Sequence, residues 1–148
     1  MGAGDLVKAE GDPWVKEKVT LKTTTGATKG QVLCYDTDGY AAATIALRCA
    51  QPTYPFSVAL QTVTAPAAGQ SQCEVLTRGG VEVNKVSGVL GPTIGKHQKV
   101  WISTTAGKVG SMSAFSTAYK TDWALEVGEA LAAATAAATT VKIRLTGH

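Results

Sequence analysis

The residues able to do chemistry in this 148-residue chain are few and scattered. Asp36-Thr37-Asp38-Gly39 has the acidic spacing with which a calcium loop begins. The next residues, Tyr40-Ala41-Ala42-Ala43, supply no oxygen side chains, so the segment reads as a turn. Thr24-Thr25-Gly26-Ala27-Thr28-Lys29-Gly30 superficially matches a phosphate-binding loop. Its glycine spacing is wrong, and no Lys-Ser/Thr pair follows the second glycine. His97 lies in a basic turn, Gly95-Lys96-His97-Gln98-Lys99, where a solvated side chain is expected, and His148 is the last residue. Hydrolysis by a serine triad needs a nucleophile, a base and an orienting acid, and no G-x-S-x-G elbow occurs. Glycosidic chemistry needs two acids facing a groove. Asp36 and Asp38 are turn residues, Glu74 and Glu82 read as strand surface, and Glu126 and Glu129 flank Gly128. Cys34, Cys49 and Cys73 include no C-x-x-C pair, and their odd number argues against a disulfide framework or a zinc site. Cys34 fits best as a small buried apolar residue. The expectation is a protein that is not an enzyme, with no cofactor and no metal.

Composition points the same way. Hydrophobic residues make up 45% of the chain and charged ones only 17%, below the usual quarter. A charge-poor surface suggests cover by a partner. The net charge is +3, and the basic residues are scattered: Lys16 and Lys18, Lys96 and Lys99, Lys142 and Arg144. With no dense basic block, nucleic acid is not the expected partner. The first residues, Met1-Gly2-Ala3-Gly4-Asp5-Leu6, resemble neither a signal peptide nor a membrane anchor, so synthesis in a cytoplasm is expected.

The elements are strands. One strand–turn–strand phrase is written twice: Val32 to Ala41 around Asp38-Gly39, and Val100 to Val109 around Ala106-Gly107. Glycine there can take positive φ and close a tight turn. Val15 to Thr23 alternates with a wet face carrying Lys16, Lys18, Thr20 and Lys22. Phe56 to Val63 reads as a buried strand. Gln72 to Thr77 and Val81 to Lys85 read as a hairpin joined across Arg78-Gly79-Gly80. Ser111 to Asp122 is either a loop or one short helix. Trp123 to Leu131 reads as a strand broken by Gly128. The alanine-rich Ala132 to Thr140 is too short and uncapped for a stable helix and reads as a loop or single turn. Val141-Lys142-Ile143-Arg144-Leu145 is the closing strand. The sum is an all-β fold, a small barrel or sandwich of short antiparallel strands with an extended N-terminal arm. The expected division is an arm over residues 1–22 and a β-rich domain over 23–148.

Residues Met1 to Asp12 carry Gly, Asp and Glu and few large apolar groups, as an arm does. Pro13-Trp14 ends it. Trp14 either packs back on its own domain or anchors in a neighbour's pocket. Asp12, Pro13, Trp14, Lys16 and Lys18 are the candidate contact residues.

An ordered series of phrases resembles the capsid decoration, or cement, proteins of tailed bacteriophages. It comprises Lys29-Gly30-Gln31-Val32 leading to Asp38-Gly39; Phe56-Ser57-Val58-Ala59-Leu60; Thr77-Arg78-Gly79-Gly80-Val81-Glu82-Val83; Lys99-Val100-Trp101-Ile102-Ser103 leading to Ala106-Gly107-Lys108-Val109; Val127-Gly128-Glu129-Ala130-Leu131; and the closing strand. The resemblance covers Thr23 to Leu145. It implies a β body, assembled as a homotrimer or another oligomer on the outer surface of an icosahedral capsid. It further implies an arm reaching neighbouring subunits or the major capsid protein, a role in stabilising the shell, and neither nucleic-acid nor membrane partners. The alternative is another virion or surface β module: a head fibre, a tail tube or a carbohydrate-binding domain.

Overall fold

The computed structural model describes residues 2–9, 11, 13–50, 54–87, 93–111 and 125–145, with only the backbone of Cys49 and Ala50. Ten strands and one helix follow in order: β1 (Leu6–Val7), β2 (Val15–Thr20), β3 (Val32–Asp36), β4 (Gly39–Ala42), α1 (Ile45–Ala50), β5 (Ser57–Ala59), β6 (Gln72–Asn84), β7 (Lys99–Ile102), β8 (Val109–Ser111), β9 (Glu126–Ala130) and β10 (Thr140–Leu145). All pairings between these strands are antiparallel, and the sheet runs β4-β3-β5-β6-β10-β9-β7-β8, with β1 and β2 both on β6. The all-β expectation holds.

The sheet curls into two rings that share β6. In the first, β2, β6, β5, β3 and β4 pair in turn, and Leu21, just past β2, bridges Tyr40 in parallel to close the circuit. In the second, β6, β10, β9, β7 and β8 pair in turn, and Lys85, just past β6, bridges Val109 in parallel. The correspondence reaches the loops. Ala27 bridges Val63 in the first ring, and Ile94 bridges Ala134 in the second. The turn before β3 has Gln31 Oε1 accepting from Thr28 N at 2.9 Å, and the turn before β7 has Gln98 Oε1 accepting from Gly95 N at 2.8 Å. Gly30 and His97 hold the same place in these turns, with φ of 91° and 71°. The twice-written hairpin is therefore the visible part of an internal duplication. The ends of the two rings also meet: Val32 N donates to Gly107 O, and Gly107 N donates to Ala43 O.

Alternating apolar residues fill both interiors. Leu21, Ala27, Leu33, Ala59, Cys73 and Val75 pack inside the first ring. The larger cluster gathers Val81, Val83, Val100, Ile102, Val109, Val127 and Ile143 from the second ring, with Val32, Phe56, Val58 and Leu76 from the first. Burial of this kind contributes about 25 cal/mol per Å² of apolar surface and is the main stabilising term.

Three expectations are corrected. Arg78-Gly79-Gly80 is not a hairpin turn: β6 runs through it as one 13-residue strand. The glycines are there for close approach and bending. A Cβ on Gly80 would sit 2.1 Å from Val7 O, and Gly79, at φ 115°, lies under the Trp14 ring. The β2 register also shifts between Val15 and Lys16, the irregularity that lets β6 turn from one ring into the other. Gly128 does not break its strand, because β9 passes through it, and a Cβ there would meet Arg144 O at 2.1 Å. Glu82 is buried rather than on the strand surface. The helix α1 was not expected. Thr44 starts it, its Oγ1 accepting from Leu47 N at 3.1 Å. The alanine-rich segment is loop, as expected. Trp123 and residues 112–122 lie outside the described residues.

Candidate interaction surface

Of the acids considered for catalysis or metal binding, Asp36 and Asp38 hold turn contacts and Glu126 and Glu129 pair with basic side chains. Asp36 accepts from Lys22 Nζ at 2.7 Å and from Thr37 N at 2.8 Å. Asp38 accepts from Thr23 Oγ1 at 2.6 Å. Glu129 pairs with the exposed His97 at 2.8 Å, and Glu126 pairs with Lys99 at 3.1 Å. Among the described residues no group of three or more His, Cys, Asp or Glu side chains converges as a metal site would require. The Lys22 hydrogen bond holds the Asp36 carboxyl below the usual carboxylate range, and the Lys29 bond at 2.9 Å does the same for Asp5. Burial pushes the Cys34 thiol up to about 12 and raises Cys73 as well, so neither is a thiolate nucleophile near neutrality. Burial also lowers the Lys85 ammonium, whose Nζ donates to Val86 O at 2.8 Å.

The surface is more informative than any cleft. Pro13, Trp14, Lys16 and Lys18 are all exposed, on or just before β2; Asp12 lies outside the described residues. Trp14 packs back on its own chain and stays half exposed. Its Nε1 donates to Val7 O at 3.0 Å and its ring covers Gly79, yet 46% of the residue remains exposed. With Lys8, Ala9, Gly11 and Pro13 it lines a shallow, mainly apolar cleft of about 380 Å³. Lys16 and Lys18 project from one face of β2, and neither ammonium makes an ion pair among the described residues. Val15 beside them is 38% exposed. The described N-terminal residues are extended and run along β6 of their own chain, tied by β1 and by Lys29–Asp5.

Sequence reasoning missed two features. Tyr35 stands edge-on to Tyr40 (5.6 Å between centroids) and stacks on Tyr54 at 4.4 Å. Arg48 is buried over the Phe56 ring at 4.3 Å and donates to Tyr54 O. Tyr35 and Tyr40 face each other across the β3–β4 hairpin, whereas Tyr54, Phe56 and Arg48 join them because α1 folds beside β3. A Thr44 cap before Ile45 was the one local signal.

The chain shares its fold with the base of a phage head fibre. The crystal structure of the N base of head fibre gp8.5 of bacteriophage phi29 superposes with a TM-score of 0.58 at 14% sequence identity, covering 90% of this chain and 96% of that one. At that identity the likeness is one of fold. No family model and no curated protein sequence matches the chain. Among the described residues no helix is long and apolar enough to cross a membrane.

Proposed function

We propose that this protein is a structural component of a phage virion, seated as an oligomer on the outer surface of the head. The observation that carries this reading is the likeness over almost the whole of both chains to a head fibre base. The physical character of the molecule supports it. A stiff β body loses little conformational entropy on docking. Repetition over a symmetric lattice supplies avidity without a tight single contact. In the finer form of the proposal the assembly is a trimer that contacts the major capsid protein and its own neighbours and stabilises the shell. Pro13, Trp14, Lys16 and Lys18, with Asp12, face the partner. Trp14 is the anchor, since a half-exposed tryptophan beside an apolar cleft is the kind of group that carries interface energy.

A second reading, that the chain is the base of a head fibre rather than a cement protein, is favoured by the same comparison. The two differ in consequence. A cement protein raises the temperature at which shells rupture, and a fibre base leaves it unchanged. Mass photometry and co-sedimentation with undecorated heads test both readings. The expected result is a trimer that pellets with the shells, and less of it when residues 1–14 are deleted or Lys16 and Lys18 are both changed to Glu. Failure of the intact protein to pellet with any head shell would sink the proposal. Unchanged occupancy in both variants would remove the N-terminal surface from it.

A further inference from the structure

The duplication allows the two rings to be compared strand for strand, and they differ at one edge. The first strand of ring two is the second half of β6. It pairs with β10 on one edge, and β1 is laid on the other, through Leu6↔Val81 and Val7↔Gly80. Glu82 N donates to Asp5 O at 3.0 Å, and Glu82 O accepts from Gly4 N at 2.7 Å, so this outer edge is satisfied. The first strand of ring one is β2. It pairs with β6 on one edge; β4 meets the other edge at its C-terminal end, through Leu21 and Tyr40, and among the described residues no strand pairs there with Lys16 to Lys18. Leu21 corresponds to Lys85, which places Lys18 at the position of Glu82 and Lys16 at that of Gly80.

Backbone direction confirms the correspondence. Leu21 N donates inward to Ser71 O, and Lys22 N donates outward to Tyr40 O. Alternation in an antiparallel ladder then turns the N–H and C=O of Lys16, Lys18 and Thr20 outward. The exposure of Val15 to Lys18 on both faces of the strand agrees with an uncovered edge.

We infer that the outer edge of β2 is a strand-addition site for an extended, acidic segment of a partner protein. Such a segment would take on ring one the place that β1 takes on ring two. Charge selects the occupant. Lys16 and Lys18 lie on the same face as an incoming strand's alternate side chains, where acidic residues pair favourably across the ladder. A second copy of β2 fits badly: antiparallel self-pairing sets Lys18 against Lys18, or Lys16 against Lys18 with Glu17 against Glu17. Edge lysines of this kind repel like edges while remaining open to an acidic strand. At the N-terminal end of β2, the cleft beside Trp14 gives the segment a place for one apolar side chain. This inference stands on the two rings alone and does not rest on the virion reading.

The test uses the whole protein and a labelled peptide of about ten residues, alternating Asp and Val with a terminal Phe, long enough to span β2. Expected results are saturable binding in fluorescence anisotropy and slowed amide exchange at Lys16, Lys18 and Thr20. Lys18→Pro removes an outward donor without touching the β6 ladder, and it should weaken binding by about tenfold or more. The charge reversal Lys16→Glu with Lys18→Glu should weaken it similarly and favour a Lys-Val peptide instead. Far-ultraviolet circular dichroism confirms that each variant is folded. If either variant fails to fold, the exchange pattern on the unaltered protein decides alone. Absence of binding, protection at other amides, or equal affinity in the folded variants would overturn the inference. So would concentration-dependent self-association that protects the same three amides.

Discussion

The two rings are built to one plan and finished differently. Ring two is closed on every side that the structure describes: its first strand is covered by β1, and the position of Val81 is fully buried. Ring one keeps the same circuit, but the corresponding residue is an exposed Glu17, and the outer edge of its first strand is open backbone around Lys16 and Lys18. The twin hairpins show the same divergence. Gly107 takes φ 74°, which favours glycine, whereas Gly39 is needed because a Cβ there would press within 2.6 Å of the backbone at Leu21 and Lys22. One sequence phrase thus answers two physical demands. A duplicated fold keeps its hydrogen-bond circuit and its interior and spends its freedom on edges, where contact with other molecules is decided.

The largest effects are expected in the interiors. Ile143 and Val75 occupy matching places in the two rings, and both are fully buried. Ile143→Ala should cost about 3 kcal/mol and Val75→Ala about 2 kcal/mol. Because β6 belongs to both rings, each variant should still unfold in a single transition in chemical denaturation. Two separate transitions would show that the rings are independent. The edges come next. Gly80→Val drives a side chain into Val7 O and should cost about 2 kcal/mol, whereas Lys16→Val at the matching place should change stability by no more than about 0.5 kcal/mol. Equal effects would dissolve the asymmetry. Trp14→Ala should cost about 1 kcal/mol through the lost bond to Val7 O, a modest change for so large a side chain because half of it already faces water.

How much of this was legible depends on distance along the chain. The strands were readable because period-two alternation is local, as in Val141 to Leu145. The duplication was readable only as a hint, since its evidence lies in which strands pair. Arg78-Gly79-Gly80 misled because glycine pairs mark both tight turns and close backbone approach, and only the position of Val7 separates the two. The arm showed as extended, but its place along β6 depends on contacts at Gly79 and Gly80, far away in sequence. Trp14, Lys16 and Lys18 were singled out by their types, while the tyrosine cluster was not, because Tyr54 and Arg48 reach the β3–β4 hairpin only in the folded chain.

Two smaller effects sharpen the picture. Cys34 and Cys73 should resist a thiol reagent at pH 8 in the native protein and react on unfolding; rapid native labelling of either would contradict its burial. Asp36 and Asp5 have folded values below their ordinary 3.8. Their contribution is therefore present above that pH and lost as pH falls through the folded values. Acid titration followed by thermal melting should show a shallow loss below about pH 4, reduced in Asp36→Asn.

The central claim is that β2 has an open outer edge where its counterpart in β6 is covered. Residue-resolved amide hydrogen exchange on the free protein tests it most directly, by comparing Lys18 with Glu82. The Lys18 amide should exchange near the unprotected rate and the Glu82 amide at least about a hundredfold slower. Equal and strong protection of both amides would contradict it.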